Sequence, residues 1–384
     1  MNKTSLEKVK IGIVGPSWWI NYWHLPAIQN HPNAEIVAIC GDTPRNLIDI
    51  QEKYGENAQY FTDLEKMLES VEIDGVIVCT PNDLHHPATM AAFKRNIHVS
   101  CEKPLALKAD QAYEMMWEAQ NRNLLGMTNF PYRDNPCVQE FRRLLSESAI
   151  GKILHIAGQY HGGFGLRHSP NWRGKRDRSG AGILGDLGSH LIDLVRFITQ
   201  EEFQSVCANN MTVLWNLEEE DSKFPDLVRT EDSRVGNRND DSCMFLAEMA
   251  SGAQATLHTS WVAYQGSYCQ HQEIEIYGTE GRLHFLATHT GTFLRILPNG
   301  EKVWKQLTIA GVLSPQEASQ LEKKDDEDYF RPGRKTPTNT TYRWIEAIRT
   351  NQASISPSLE DGWQAQRVID AILQSSAERR WVDI

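Results

Sequence analysis

The stretch Val9-Lys10-Ile11-Gly12-Ile13-Val14-Gly15-Pro16-Ser17-Trp18-Trp19-Ile20 decides the fold. Val9 to Gly15 reads as a buried strand that stops at a glycine, and a helical stretch follows through His24-Leu25-Pro26-Ala27-Ile28. Strand, glycine turn and helix make the opening unit of a dinucleotide-binding α/β fold. Such a turn usually carries Gly-x-Gly-x-x-Gly, and here Ser17 stands at the second glycine and Ile20 at the third. A serine still lets backbone amides approach a pyrophosphate, but Ile20 sets the helix further off the strand, so the turn alone does not establish a dinucleotide site.

Support comes from the next units of the chain. Glu35 to Cys40 is a second apolar strand ending in Gly41-Asp42, roughly the twenty-residue interval at which an acidic group meets the adenosine ribose hydroxyls. Asp42 therefore favours NAD over NADP, while Arg45 is placed to stack on adenine or meet a 2'-phosphate. Helix-like residues 44–54, a short strand at 59–61, helix-like 63–70 and a strand at 74–79 continue an alternation that gives a parallel sheet with helices on both faces. The last of these strands empties into Thr80-Pro81-Asn82-Asp83-Leu84-His85, whose polar groups suit the ribose or nicotinamide side of a dinucleotide.

The following strand leads into Ser100-Cys101-Glu102-Lys103-Pro104-Leu105. Pro104 removes a donor and biases Lys103 away from helical dihedrals. Lys103 thus stands at a strand's carboxyl end, which borders the ligand crevice in open α/β sheets, and burial there would lower a lysine's pKa. Taken alone, Glu-Lys-Pro reads first as a polar turn. A helix at 109–121 and a strand at 124–129 complete a first domain, 1–129, and residues 130–384 form the second.

The second half opens with a helix at 137–146 and a strand at 152–161. The long loop after it is basic and tryptophan-containing, with Arg167, His168, Trp172 and Arg173, and long loops are disproportionately functional. Glycine-rich residues 179–188 run into a helix at 189–198. Asp186 and His190 are four apart, which on a helix puts carboxylate and imidazole on one face, and Asp193 is placed to act on the ring from the other side. A capping aspartate and a core histidine are the bland alternative. Strands at 244–249, 253–263, 273–277 and 282–285 with hairpin spacing predict a mostly antiparallel sheet flanked by helices, an α+β domain after the α/β one. Two polar stretches, 218–241 and 315–341, read as mobile surface loops, and helices at 344–349 and 363–377 close the chain.

Composition narrows the partners. With 384 residues and a net charge of −11, the chain has no electrostatic footprint for nucleic acid or an anionic membrane and is expected to bind a small molecule. Residues 1–10 lack an apolar signal core, which points to the cytoplasm. The 7 cysteines are widely spaced without a Cys-x-x-Cys pair, so reduced thiols and no metal site are expected.

Assembled, these residues resemble the glucose-fructose oxidoreductase / inositol dehydrogenase (Gfo/Idh/MocA) family over nearly the full length. The points of resemblance are Thr80-Pro81-Asn82 with His85, Glu102-Lys103-Pro104, Tyr132-Arg133 with Pro136, Trp172-Arg173, Asp186-Leu187-Gly188-Ser189-His190 with Asp193, Gly278-Thr279-Glu280-Gly281 and Leu359-Glu360-Asp361-Gly362. The resemblance implies a Rossmann domain, a second domain whose open sheet mediates a homodimer or homotetramer, and a sugar, cyclitol or related polyol as substrate. It also implies that Lys103 hydrogen-bonds the reacting hydroxyl, Asp186 holds or polarises the substrate and His190 is the general base. NAD, or NADP, would be held by Gly15, Ser17, Trp18, Trp19, Asp42, Arg45, Thr80, Asn82, His85, Glu102, Lys103, Trp172 and Arg173. Tyr132, Arg167, His168 and Trp172 would join the catalytic set around the substrate. Ser17, Ile20, the pair Trp18-Trp19 and Gly41 depart from the family pattern. A glycoside-cleaving enzyme working by transient oxidation, or a catalytically silent dinucleotide or sugar sensor, are the competing readings.

Overall fold

The structure is a computed structural model that describes residues 8–42, 47–164, 172–214, 226–229, 231–263, 271–288, 291–309 and 338–384. Its contacts divide the chain into two units, Met1–Pro131 with Gly333–Gln366, and Tyr132–Pro332 with Arg367–Ile384.

The first unit is built on a sheet of β1 (Val9–Val14), β2 (Ala34–Cys40), β3 (Gln59–Phe61), β4 (Gly75–Val78), β5 (His98–Cys101) and β6 (Gly126–Thr128). All neighbours run parallel in the order β3-β2-β1-β4-β5-β6, a doubly wound sheet. The strands are apolar on both sides because both sheet faces are covered. Alternate residues of β1 serve opposite cores. Ile11 and Ile13 pack with Ile20, Leu25, Ile39 and Trp344, whereas Val14 packs with Val76, Phe93, Val99 and Leu359. The fully buried Trp344, on the late helix Thr340–Arg349, lies over Gly75, where a Cβ would come within 2.6 Å of its ring. After the glycine turn the first helical residues, Ile20–His24, wind as a π-helix before the α-helix Leu25–Asn30. That wider turn seats the bulky Ile20, 0% exposed, in the core instead of leaving it as a spacer.

The second unit carries a sheet of β7 (Ile153–His161), β8 (Phe203–Leu214), β9 (Asp226–Val228), β10 (Ser242–Met249), β11 (Gln254–Ser260), β12 (His271–Gly278), β13 (Gly281–Thr288), β14 (Gly291–Pro298), β15 (Lys305–Gln306) and β16 (Val382–Asp383). The order is β15-β14-β13-β12-β7-β11-β10-β8-β16 with β9 beside β8, and among the described residues β7 and β11 form its parallel pair. The helices Pro136–Ser146 and Ser189–Thr199 line one face, and every residue of the latter is buried. Burial alternates along β10 and β12, as expected of a sheet covered on one side. On the other face Met244 and Leu246 stay 53% and 48% exposed.

The polar stretches expected to be surface loops are partly built into this fold. Asn239, Asp240 and Asp241 are 4%, 3% and 6% exposed, and Thr340 and Thr341 start a helix at 0%. Their side chains are buried because each finds hydrogen-bonding partners, which composition alone does not reveal. β8 and β14 were not among the expected strands; the Asn209-Asn210 pair inside β8 is of a type depleted in strands.

Candidate active site

In the first unit, Gly15 ends β1 with φ +81° and donates its N–H to Cys40 O at 2.9 Å. A Cβ at Gly15 would lie 2.7 Å from Cys79 O and 2.9 Å from Thr80 Cα, so the turn rests directly on the end of β4. This is where strand order reverses about β1 and β4, the crevice in which open α/β sheets bind ligands. Ser17 Oγ accepts from Ile20 N at 3.4 Å and lies 3.2 Å from Cys79 Sγ. Thr80 Oγ1 is buried at the same place with no hydrogen-bond partner among the described residues. Asp42 follows β2 on the exposed side. A glycine turn packed on β4, a buried hydroxyl without a partner among the described residues and an acidic group past β2 fit a dinucleotide.

Beside this turn a buried carboxylate collects donors. Glu102, 6% exposed, accepts at Oε1 from Trp19 Nε1 at 2.7 Å, His24 Nε2 at 2.9 Å and Asn129 Nδ2 at 2.5 Å, while Lys103 N donates to Oε2 at 3.3 Å. Behind it, His24 Nδ1 lies 2.8 Å from Thr341 Oγ1 and Thr340 Oγ1 donates to Asn129 Oδ1 at 2.9 Å. Burial by itself pushes the Glu102 carboxyl upward, but the bonds from His24 and Asn129 and the charges of His24 and Lys103 outweigh it and hold the group below its ordinary range. Trp19 is clamped by stacking on Trp23 at 5.9 Å and 4° and on Tyr22 at 5.6 Å and 30°. Trp18 is 59% exposed. Glu102 and Trp19 are bonded to each other, and the backbone entering Lys103 is tied to the same carboxylate.

His85 is held in the same region. Its ring is 1% exposed, with Nδ1 2.9 Å from Pro104 O and Nε2 3.0 Å from Thr80 O, and burial pushes the imidazole down. The ring ties the turn after β4 to the Glu-Lys-Pro segment, so its nitrogens serve the loops beneath the site. Asn82 is buried at 5% in the same turn.

In the second unit, His190 is 6% exposed on the helix Ser189–Thr199. Tyr132 meets it edge to face at 4.6 Å and 70°, and Tyr160 is tilted against it at 6.1 Å and 50°. The two phenol oxygens are 2.6 Å apart. Tyr160 projects from β7 into the core, and burial, then Tyr132 and the charge of Asp186, pushes its phenol well up. Asp186 sits in the π-helix Leu184–Gly188, not in the α-helix with His190, and its Oδ2 lies 3.7 Å from Arg173 Nε. Arg173 in turn covers the Trp172 ring at 4.5 Å. Asp193, expected to orient His190, binds Arg133 through both oxygens, accepting at Oδ2 from Nε at 2.9 Å and at Oδ1 from Nη2 at 2.5 Å. Arg133 wins that carboxylate because both groups are buried, 5% and 1% exposed, and a bidentate pair satisfies both.

Lys103 thus belongs to the first unit, and Tyr132, Trp172, Arg173, Asp186 and His190 to the second. Arg45, Arg167 and His168 lie outside the described residues. Sequence reading missed Tyr160, His24, Asn129 and the Asn339-Thr340-Thr341 segment. Tyr160 was findable as an inward position of β7, but nothing linked residues 24, 129 and 340.

Comparison with known proteins identifies the family. The model of the oxidoreductase family with an NAD-binding Rossmann fold (GFO/IDH/MocA) matches residues 9–130, and that of the GFO/IDH/MocA C-terminal domain matches 138–284. Levoglucosan dehydrogenase of Pseudarthrobacter phenanthrenivorans is 27% identical over 94% of this chain and 92% of its own length. Inositol 2-dehydrogenase of Rhizobium meliloti is 24% identical over 98% and 99%. Among solved structures, a levoglucosan dehydrogenase in complex with NADH and levoglucosan superposes with TM-score 0.79 at 24% identity, covering 98% of this chain and 100% of that one. An aldose-aldose oxidoreductase from Caulobacter crescentus gives TM-score 0.75 at 21% identity over 98% and 100%. The chain belongs to the Gfo/Idh/MocA family and is an oxidoreductase with an NAD-binding Rossmann fold.

Proposed function

We propose that this enzyme oxidises a secondary hydroxyl of a sugar, anhydro sugar, cyclitol or related polyol, with Lys103, Asp186 and His190 as its catalytic set. The observation that carries the reading is His190 itself, a buried imidazole walled by Tyr132 and Tyr160 on a helix that opens from the Asp186 turn. Bound NAD supplies the hydride acceptor. The turn at Gly15, Ser17, Thr80 and Asp42 holds it, and Asp42 supports NAD over NADP.

Removing hydride from a carbinol carbon requires loss of the hydroxyl proton, which a base tuned near neutral pH accepts. His190 takes that proton. Lys103 donates a hydrogen bond to the hydroxyl oxygen as negative charge builds on it, its backbone anchored by Glu102. Asp186, set against Arg173, accepts from a neighbouring hydroxyl and fixes which carbon reacts. Tyr132 and Tyr160 keep water from the imidazole. We assign a cytoplasmic homo-oligomer, with the open face of the second unit's sheet, where Met244 and Leu246 are exposed, as the contact surface. Among the described residues no helix is long and apolar enough to cross a membrane.

The test is a screen of sugars, anhydro sugars and cyclitols for NADH formation, repeated with Lys103→Met and His190→Ala. Each substitution is expected to cost about 100- to 10,000-fold in kcat. Turnover undiminished by both would refute the assignment.

A further inference from the structure

The segment Asn237–Asp241, which precedes β10, is laced to the chain that carries Trp172, Arg173 and Asp186. Arg176 N donates to Asn237 O at 2.8 Å, Asn239 N to Gly174 O at 3.1 Å and Ile183 N to Asp240 O at 3.2 Å. Lys175 and Arg238 form an isolated antiparallel bridge. The close approach depends on Gly182, at φ +53°, where a Cβ would stand 2.6 Å from Asn239 Cβ and 2.7 Å from Asp240 O. The segment is itself anchored in the sheet. Asp241 accepts from Val213 N at 2.7 Å and Trp261 Nε1 at 2.6 Å, and Asp240 accepts from Asn210 Nδ2 at 2.7 Å.

At the centre is a closed triangle. Asn239 Nδ2 donates to Arg173 O at 3.0 Å and to Ser179 Oγ at 2.6 Å, and Ser179 Oγ donates to Arg173 O at 2.8 Å. Both hydrogens of the buried amide are used, one on Ser179 Oγ and one on the backbone carbonyl of Arg173, whose guanidinium faces Asp186. Trp172–Gly174 is a single short 3₁₀ turn that offers few bonds of its own, so these contacts set its position.

We infer that Asn239, with Ser179, is a positioning residue of the substrate site, acting through Arg173 on Asp186. The inference deepens the proposed function and rests on its assignment of Asp186 to the substrate. Asn239→Asp is the sharp probe, because it keeps the shape, removes both donors and turns a carboxylate toward the Arg173 carbonyl. On the best polyol, Asn239→Asp is expected to lower kcat/KM about 10- to 100-fold in the wild-type background and less than about threefold in Arg173→Ala, since a residue acting through Arg173 has nothing left to position. Equal losses in both backgrounds, or none in either, would overturn the inference. Ser179→Ala runs the same cycle where Asn239→Asp does not fold. A substrate-free readout separates this from failure of the functional reading. The Arg173 Nε–H resonance, identified by its loss in Arg173→Ala, must shift in Asn239→Asp even where no polyol is turned over, and an unmoved resonance overturns the inference.

Discussion

Tyr132 and His190 meet edge to face, ring centroids 4.6 Å apart and planes at 70°. The ring fixes the imidazole, and the Tyr132 hydroxyl is held in turn by Tyr160 at 2.6 Å. If orientation of His190 is what Tyr132 provides, Tyr132→Ala should lower kcat about 10- to 100-fold, while Tyr132→Phe, which keeps the ring, should stay within about tenfold of wild type. Steady-state kinetics on the pair decide it, and equal loss in both variants would shift the role to the hydroxyl.

Gly15 predicts a cofactor phenotype separable from folding. An alanine there meets the Cys79 carbonyl at 2.7 Å and must adopt φ +81°. The turn has to move, so the dissociation constant for NAD should rise at least about tenfold, while the strain, about 1–3 kcal/mol, lowers the melting temperature by only a few degrees. Calorimetric titration with NAD measures it.

Glu102 predicts an acid-side loss of stability. Its carboxyl is held below its ordinary value in the fold, so the native state binds fewer protons there than the unfolded chain. The contribution is complete above the ordinary carboxylate value and disappears as pH falls through the lowered one. Urea midpoints should therefore fall through that window in the wild type and fall less steeply in Glu102→Gln. Glu102→Ala, which leaves the donors of Trp19, His24 and Asn129 buried without this acceptor, should cost about 3–5 kcal/mol at neutral pH.

His161 acts in a different window. Burial, together with the charges of His258 and His271, pushes it from 6.5 to about 4, against the pull of Glu273. Its Nε2 is 3.0 Å from His258 Nδ1 across β7 and β11. Between those two pH values the unfolded chain takes up a proton that the native state refuses, so stability drops as pH falls from 6.5 toward 4. His161→Gln should flatten the slope of denaturant midpoint against pH in that interval, and an unchanged slope would contradict the cause given.

Much of the first unit could be read from sequence, because its central strands β1, β2 and β4 are mostly apolar runs closed by a glycine or polar turn. Lys103 and Glu102 were visible as residues at a strand end. Glu102's real partners were not, since His24, Asn129 and Thr341 come together through the late return of the helix Thr340–Arg349 to the first unit. In the second unit Asp186 and His190 stood out by spacing, yet the α-helical geometry assumed for them gave way to a π turn that directs Asp186 to Arg173. Asp193 illustrates the same limit. Its helical offset from His190 was legible, but its buried arginine partner, 60 residues away in sequence, was not.

Hydride transfer from a polyol to NAD can be followed by isotope. A substrate found in the screen, deuterated at the reacting carbon, is incubated with one equivalent of enzyme and NAD, and the nicotinamide is examined by proton NMR. The account predicts stoichiometric appearance of deuterium on the reduced ring, with a slower single-turnover rate for the deuterated compound and loss of both in His190→Ala. Release of an aglycone with the deuterium returned to the sugar, or no transfer from any polyol, would contradict it.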